Sequence, residues 1–490
     1  MNKLALHRAL VSGLLALAIG GCGYVTEGAR IIAREASSIL APKTPTAAPR
    51  PTAPRPTAPP SATPAPTQVA TVGPRGTTAA GTATPQARNT PTPVPGATVE
   101  PTPNARQRDT QLKVFQDLWA TVNDNYIYED FNGVDWAGLK APTEAKIRAG
   151  LTDSAFQKLM YEIVDSLKDD HSRYQSPTEV KEEQARFKGE QSYTGIGIQW
   201  DFSVEKRYVF VLVVYPDSPA ERAGIRPHDH ILAVEGEPAV NADGEPIVSK
   251  VRGPEGSQVT ITVQTPGGAP RDLTLTRAKV LAKSNIERRI LGADMAGNKR
   301  IGYILMPTFY EAGIADQFRS ALSELMKNGN LDGLIIDVRN NGGGSLAELE
   351  KTLSVLANGT MGSETTRAGS QQMLRARGEK IGNSQSVPLA ILTSKSSVSA
   401  AEIFAGTLQY AKRARTVGQD TAGNIEVLYT YKFADGSQAL IASETFRLPN
   451  GSNWEGKGVK VDVPVPNSGW DEFTEETDPG IRAAAALLAK

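Results

Sequence analysis

Cysteine is nearly absent from this sequence, with a single residue, Cys22, in 490. One cysteine cannot form an intramolecular disulfide, and zinc clusters that need several cysteines are excluded. Because Cys22 lies close to the chain start, a cysteine–histidine nucleophile pair in the folded part is excluded as well. Histidine is also scarce, so a catalytic imidazole has to come from His7, His171, His228 or His230.

Net charge is absent too, because 53 Lys and Arg residues balance 53 Asp and Glu residues. Overall charge therefore provides no attraction to nucleic acid, and no nucleic-acid partner is predicted. Hydrophobic residues make up 40% of the chain, which suffices for two or three globular units and excludes a wholly disordered protein.

The first 21 residues are predicted to be a signal peptide. Lys3 and Arg8 bracket a basic start, and the apolar run of 11 residues that follows, Ala9–Ile19, is too short to cross a bilayer. The run leads into Gly20-Gly21-Cys22, which resembles the lipobox of bacterial lipoproteins. That resemblance implies lipidation of Cys22 and a cell-envelope protein anchored to the extracytoplasmic face of a bacterial membrane. An ordinary secretory signal with a chance cysteine is the alternative.

A proline-rich linker, residues 22–106, follows the signal. Seventeen of the 33 prolines lie between Pro42 and Pro103, together with Thr and Ala and without Phe, Trp or Tyr. Such a composition cannot bury enough apolar surface to fold, so we predict a disordered tether. A glycosylated stalk and a ligand for aromatic grooves are the alternatives.

Three folded units are predicted beyond the linker, and the fold class is α+β multidomain. In residues 107–190, apolar residues recur at spacings of three and four, which predicts a small helical domain. Residues 191–281 contain short strands around one compact helix that starts at Ser218, so they form a β-rich domain. In residues 282–490, buried strands alternate with helices, which predicts an α/β layered domain.

Two strand-to-helix junctions of the last unit carry unusual residues. Three successive glycines, Gly342–Gly344, follow one strand and expose backbone N–H groups suited to an oxyanion; a tight turn is the alternative. At the second junction, Ser399 and the Ala400 N–H lie at the positive end of a helix. There, an ordinary helix cap is the alternative.

These features together resemble the carboxyl-terminal processing proteases and the tricorn-core serine peptidases over about residues 110–485. Three stretches carry the resemblance, 338–344, 397–403 and 455–459, together with the order of the three units. It implies a ββα-layered, crotonase/Clp-like catalytic domain with Ser399 as the nucleophile. The implied oxyanion donors are the amides of Gly343 and Ala400.

The β-rich unit resembles a PDZ domain across about 90 residues. PDZ domains bind extended peptide ends by strand addition, and a glycine-containing loop receives the terminal carboxylate. The corresponding loop here has the peptide-binding residues Gly195, Ile196, Gly197 and Ile198. His228 and His230 are predicted to be exposed turn residues of this unit.

One departure from the family concerns the general base. Processing proteases place a lysine 25 residues after the nucleophile, where this chain has Asn424, and asparagine cannot accept the proton. The tricorn branch uses histidine, and His171 lies in a segment similar to that branch's motif. We therefore predict His171 as base and Glu455 as the carboxylate that orients it. Glu426 is the alternative orienting group, and Lys395 is the alternative base.

The predicted function is that of an envelope serine endopeptidase. It hydrolyses peptide bonds in flexible or C-terminal protein segments through an acyl-enzyme on Ser399. The predicted partners are protein or peptide substrates and, through the lipid anchor, the membrane; no metal or other cofactor is predicted. The alternative is a catalytically inactive PDZ-containing adaptor that only binds peptides.

Overall fold

The structure is a computed structural model, and it describes residues 103–169, 171–466 and 469–490. The predicted signal peptide, Cys22 and the tether up to residue 102 lie outside the described residues. Within the described ranges, no helix has both the length and the apolar character needed to span a bilayer.

The first described unit is helical, and side chains cap its helix starts. Asn104 accepts a hydrogen bond from the Gln107 N–H at one start, and Ser176 accepts one from the Glu179 N–H at another. These contacts satisfy N–H groups that have no partner inside the helix. The elements are α1 (Ala105–Asn125), a 3₁₀ turn (Phe131–Gly133), α2 (Trp136–Ala149), α3 (Asp153–Asp165), β1 (Arg173–Gln175) and α4 (Pro177–Phe187).

This helical unit shares its hydrophobic core with the C-terminal part of the chain. Phe115 and Leu118 of α1 belong to one buried cluster with Ala439 and Ile441. Strand β1 also pairs antiparallel with residues 438–440. The chain just before β1 is thereby held beside the last unit.

The second unit is built from short antiparallel strands. The Ser218 hydroxyl accepts a hydrogen bond from the Glu221 N–H at 3.1 Å and starts the one compact helix, as the sequence predicts. The main sheet has the strands 198–203, 208–214, 230–234, 258–264 and 271–276 side by side in this order, with 237–238 paired to 230–234, while 192–195 pairs with 278–281. The elements are β2 (Ser192–Gly195), β3 (Ile198–Ser203), β4 (Tyr208–Val214), α5 (Pro219–Arg222), β5 (His230–Val234), β6 (Glu237–Pro238), β7 (Gln258–Gln264), β8 (Arg271–Thr276) and β9 (Ala278–Leu281).

The third unit contains a six-stranded sheet with helices on both faces. Its elements, in chain order, are β10 (Glu287–Ile290), α6 (Ala293–Ala296), β11 (Ile301–Leu305), α7 (Ile314–Met326), β12 (Gly333–Asp337), α8 (Leu346–Ser354), β15 (Leu389–Thr393), α9 (Ala400–Tyr410), β16 (Ala414–Gly418), β19 (Val463–Pro464) and α10 (Pro479–Leu488). The strand order is β10-β11-β12-β15-β16-β19, parallel except for β10. Alternate residues of β12 enter two different cores, so the strand is a continuous apolar run.

A second, five-stranded sheet packs against the same helices. It consists of β1 with β13 (Asn358–Thr366), β14 (Gln371–Arg377), β17 (Glu426–Lys432) and β18 (Gln438–Arg447). Phe446 of β18 lies in the core of the α/β layers, and Ile441 of the same strand lies in the core of the helical unit. Strand β18 therefore joins the two, and the mixed helix-and-sheet fold expected from the sequence is confirmed.

The β-rich unit docks on the third unit through two histidines that the sequence interpretation placed at the surface. That expectation is wrong, because His228 is 2% exposed and His230 is 7% exposed. The His228 ring stacks on Trp470 at 3.9 Å, and its Nδ1–H donates to the Trp470 carbonyl at 2.7 Å. His230 donates to the Asp471 carbonyl at 2.6 Å. The local sequence around His228 indicates a turn, but it does not show that the third unit covers this turn.

A buried ion cluster lies under the carboxyl end of β12. The guanidinium of Arg339, only 1% exposed, contacts the Asp337 carboxylate at 2.7 Å and the Asp478 carboxylate at 2.6 Å. Tyr303 donates to the same Asp337 carboxylate at 2.9 Å. Since Asp478 caps α10, this cluster ties the C-terminal helix to the sheet edge below the first junction.

Replacing Arg339 by methionine should destabilise the protein strongly. Asp337 and Asp478 would keep buried charges without their counter-ion, which costs about 3–5 kcal/mol. The free energy of unfolding, measured by urea denaturation, tests this. Arg377→Ala is the control, because its side chain is 73% exposed in a surface ion pair and should change stability by ~1 kcal/mol or less. Equal effects of the two substitutions would contradict the assignment.

Candidate active site

Ser399 lies at a strained turn between β15 and α9. Its backbone angles are φ 56° and ψ −119°, a conformation that side-chain-bearing residues rarely adopt. The Ser399 N–H donates to the Asn424 carbonyl at 3.0 Å and to the Glu402 carboxylate at 3.1 Å. The turn therefore presents the half-buried serine at the N-terminus of α9.

Glu402 holds the neighbouring loop against this turn. Its side chain is fully buried and accepts hydrogen bonds from the Thr421 hydroxyl at 2.5 Å, the Gly423 N–H at 2.6 Å and the Asn424 N–H at 2.9 Å. Burial raises the pKa of Glu402, while these donors favour its ionised form. The sequence interpretation included Glu402 only as part of a motif and missed this anchoring role.

The glycine-containing junction passes directly beside Ser399. Gly343 has φ +96°, and a Cβ on it would lie 2.7 Å from the Ser399 Cβ and 3.0 Å from the Ala400 nitrogen. The two junctions are also joined by hydrogen bonds from the Ser397 hydroxyl to the Val338 carbonyl, at 2.7 Å, and from the Val398 N–H to the Asn341 carbonyl, at 3.1 Å. The close approach explains why this position carries glycine.

The two predicted oxyanion donors differ in their surroundings. Ala400 is the first residue of α9, so its N–H has no acceptor within the helix and lies at the positive helix end. The Gly343 N–H instead donates to the Asn341 side-chain oxygen at 2.9 Å, and the Asn341 amide donates to the Met306 carbonyl at 3.0 Å. To bind an oxyanion, the Gly343 N–H has to share or exchange its bond to Asn341.

His171 is buried, and its tautomer follows from its contacts. Its ring Nδ1 lies 3.0 Å from the Glu426 backbone carbonyl, which can only accept, so Nδ1 carries the proton. The other nitrogen, Nε2, then has the lone pair that a base needs. Burial lowers the pKa of His171 to about 4, so the ring is neutral at physiological pH.

Ser399 and His171 bind the same short stretch of chain. Ser399 contacts the carbonyl of Asn424, and His171 contacts the carbonyl of Glu426, two residues further on. These two carbonyls belong to residues about 7 Å apart in an extended chain. In the described part of the chain, no hydrogen bond joins the two side chains, as is common in uncomplexed active sites.

The carboxylates of Glu426 and Glu455 lie at the stretch 424–426. The Glu426 carboxylate lies 3.6 Å from His171 Nδ1 and is only 3% exposed. Glu455 accepts a hydrogen bond from the Ile425 N–H at 2.8 Å. Burial, followed by repulsion from Glu455, raises the pKa of Glu426 to about 8.

The rival base, Lys395, points elsewhere. Its exposed side chain donates from Nζ to the Thr421 carbonyl at 3.1 Å. Asn424, at the lysine position of the processing proteases, has a buried side-chain oxygen without a hydrogen-bond partner among the described residues. Within the same ranges, no three His, Cys, Asp or Glu side chains gather as metal ligands would.

Comparisons with known proteins agree with this architecture. Residues 300–465 match peptidase family S41, residues 210–265 match the PDZ domain, and residues 108–165 match the tricorn protease C1 domain. The chain is a serine-type peptidase whose residues 300–465 are similar to peptidase family S41, and it contains a PDZ domain. The alternative of a catalytically inactive adaptor is thereby overturned.

Similar proteins match this serine peptidase over most of its length. The chain is 28% identical over 392 residues to the carboxyl-terminal-processing protease of Synechocystis, covering 79% of this chain and 89% of the relative. It is 27% identical over 362 residues to the chloroplastic carboxyl-terminal-processing peptidase 2 of Arabidopsis thaliana, covering 72% and 69%. The solved photosystem II D1 C-terminal processing protease has 25% identity and a TM-score of 0.51, covering 78% of this chain and 98% of that one.

The predicted peptide-binding loop of the PDZ domain is tightly built. Gly197 has φ +92°, and a Cβ there would lie 2.1 Å from the Ser218 Cβ. The Ile196 carbonyl accepts from the Ala220 N–H at 2.8 Å, and the Ile198 N–H donates to the Tyr193 hydroxyl at 3.2 Å. Strand β3, which starts at Ile198, is an edge strand of the described sheet, so its outer side can accept an added strand.

Replacing His171 by glutamine should reduce acid sensitivity. The unfolded chain binds a proton on His171 below pH ~6.5, whereas the folded protein resists it down to pH ~4, so folding loses stability in this window. Between pH 7 and pH 5, wild type should lose on the order of 2 kcal/mol more folding free energy than the variant. The raised pKa of Glu426 has the opposite effect and stabilises the fold as the pH falls. Because Glu426 is present in both proteins, the comparison isolates the effect of His171. Urea denaturation at both pH values measures the difference, and identical pH dependence would contradict burial of a neutral ring.

Proposed function

We propose that the peptidase cleaves peptide bonds through an acyl-enzyme on Ser399, with His171 as general base. The single observation that supports this most is the stretch 424–426, which binds the Ser399 N–H at one end and the His171 ring at the other. A lysine is not needed in this arrangement, because the Nε2 atom of a neutral imidazole can accept the hydroxyl proton.

The proposed reaction proceeds in two halves. His171 Nε2 takes the proton of Ser399 as its Oγ attacks the scissile carbonyl, and the Ala400 and Gly343 N–H groups stabilise the oxyanion. The C–N bond then breaks, and the imidazolium gives its proton to the leaving amine. In the second half, Nε2 deprotonates water as it attacks the ester; the C–Oγ bond then breaks, and the imidazolium returns its proton to Ser399 Oγ as the acid product leaves. The two side chains reach hydrogen-bond distance in the substrate complex.

Glu426 is the carboxylate best placed to stabilise the imidazolium. Its carboxylate lies 3.6 Å from the Nδ1 atom that keeps its proton throughout the reaction. Glu455 acts one step away, since it holds the Ile425 N–H and repels a second negative charge on Glu426. In this mechanism, Glu426 interacts with the imidazole, and Glu455 supports it through the Ile425 N–H.

The substrates in this proposal are flexible or C-terminal segments of proteins. The open edge of β3 and the loop from Gly195 to Ile198 can receive an extended chain end, which brings the substrate to the enzyme. Names of relatives as carboxyl-terminal-processing proteases support the same substrate class. Lipidation of Cys22 and an envelope location complete the proposal, on the evidence of the lipobox-like sequence and the tether.

Ser399→Ala should lower kcat/KM for an unstructured protein substrate by about 10⁴-fold or more, because the attacking oxygen is removed. Hydrolysis is followed by gel densitometry and with a fluorogenic peptide. Ser396→Ala is the matched control on the same loop and should keep the wild-type rate. Activity retained by Ser399→Ala would contradict the nucleophile assignment. Activity lost in Lys395→Ala but kept in His171→Gln would make the base a lysine.

A peptide with a free C-terminal carboxylate should bind Ser399→Ala at least about 10-fold more tightly than the same peptide with an amidated end. The reason is a charge-assisted contact of the carboxylate with loop N–H groups. Fluorescence anisotropy measures both affinities. Gly197→Ala should remove the difference, because its Cβ displaces the loop, whereas Gly267→Ala, with open space around it, should retain it. Equal binding of the two peptides would exclude carboxylate recognition.

A further inference from the structure

Tyr128, in the segment that follows α1, makes a contact that the mechanism has not yet used. We propose that Tyr128 is a positioning residue of the active site, which orients the Glu426 carboxylate toward His171. The inference rests on the proposed function, because it assigns a partner to the carboxylate that stabilises the imidazolium.

The geometry assigns one oxygen of Glu426 to each neighbour. The Tyr128 hydroxyl donates to Glu426 Oε1 at 2.6 Å, and Oε2 lies 3.6 Å from His171 Nδ1. Glu426 is 4% exposed, so water does not compete freely for these oxygens. Without the tyrosine hydroxyl, Oε1 would lose this buried donor and the carboxylate would be free to rotate.

Tyr128 is itself held in place. The N–H of the preceding residue, Ile127, donates to the Ala442 carbonyl of β18 at 2.8 Å. The Tyr126 ring packs edge-on against the Tyr128 ring, with centroids 5.7 Å apart. The hydroxyl therefore reaches Glu426 from a fixed backbone position, as a positioning group requires.

The charged surroundings explain why the carboxylate needs a donor. The titratable groups that face Glu426 are Glu455, Tyr128, Asp169, Tyr126 and His171. Two of these, Glu455 and Asp169, are acidic and oppose ionisation of Glu426, as burial does. A hydroxyl that donates to the carboxylate favours the ionised form and so opposes both effects. The pKa of Tyr128 is raised by burial, so its hydroxyl stays protonated and remains a donor.

The consequence for catalysis is a pH-dependent one. Burial keeps the His171 ring neutral and raises the pKa of Glu426 to about 8, so Glu426 loses its proton beside a neutral imidazole only as the pH rises. The rate should therefore rise with pH as this proton is lost. Because Tyr128 favours the ionised form of Glu426, it moves this rise to lower pH. Both Tyr128 and His171 belong to the helical unit.

The test is the pH profile of kcat/KM for Tyr128→Phe in the full-length protein. The variant should lose about 10-fold in kcat/KM at pH 7, and its rising limb should move up by about one pH unit, with activity recovering toward pH 9. Tyr161→Phe is the matched control, because Tyr161 is, like Tyr128, a partly buried tyrosine of the helical unit, and its hydroxyl donates to a different glutamate, Glu179. Its profile should match that of wild type.

Two results would overturn the proposal. One is a Tyr128→Phe profile with the same pH midpoint as wild type, whether its rate is unchanged or lowered by a constant factor. The other is an additive loss when Tyr128→Phe is combined with Glu426→Gln, since a residue that acts through Glu426 has nothing left to position. If circular dichroism shows that Tyr128→Phe does not fold, the pH profile of Glu426→Gln decides instead. A rising limb that persists in the Glu426→Gln profile would refute the inference. Failure of the proposed function is distinct, because it appears as hydrolysis that survives Ser399→Ala.

Discussion

The active-site region depends on a single buried carboxylate, that of Glu402. It lies in the first turn of α9 and gathers the N–H groups of Ser399, Gly423 and Asn424 with the Thr421 hydroxyl. A charge in this position is stabilised by several donors and by the positive helix end. The strained turn at Ser399 and the stretch that leads to Glu426 are therefore fixed relative to each other.

In the proposed mechanism, residues of another unit supply the base that a lysine supplies in the processing proteases. Asn424 occupies the lysine position, while the helical unit places His171 and Tyr128 against Glu426. This placement requires β1 to pair with β18 and the helices to share the core around Ile441. The N-terminal helical unit thus contributes residues to the proposed active site. The PDZ domain is also tied to the peptidase domain, because His228 and His230 contact Trp470 and Asp471.

Much of the fold could be predicted from local patterns. Apolar spacing in residues 112–122 predicted α1, and continuous apolar runs predicted β12 and β15, because a helix face and a doubly covered strand leave direct traces in the sequence. The junctions at Gly343 and Ser399 were recognisable by their glycines and by the family pattern. Three features left no such trace: the anchoring by Glu402, the Asn341 contact of the Gly343 N–H, and the burial of His228. Each depends on what packs against the residue, which a local pattern does not contain.

The amino-acid sequence alone shows which chemical groups are available: Ser399 in a recognisable motif, one histidine outside the first 21 residues and the PDZ domain, several carboxylates, and Asn424 where the processing proteases have lysine. Tertiary packing sets that the Glu426 carboxylate lies at the imidazole and that the Tyr128 hydroxyl meets the same carboxylate. The physical reason is sequence separation, since Tyr128 and Glu426 are 298 residues apart and meet only through strand pairing and a shared core.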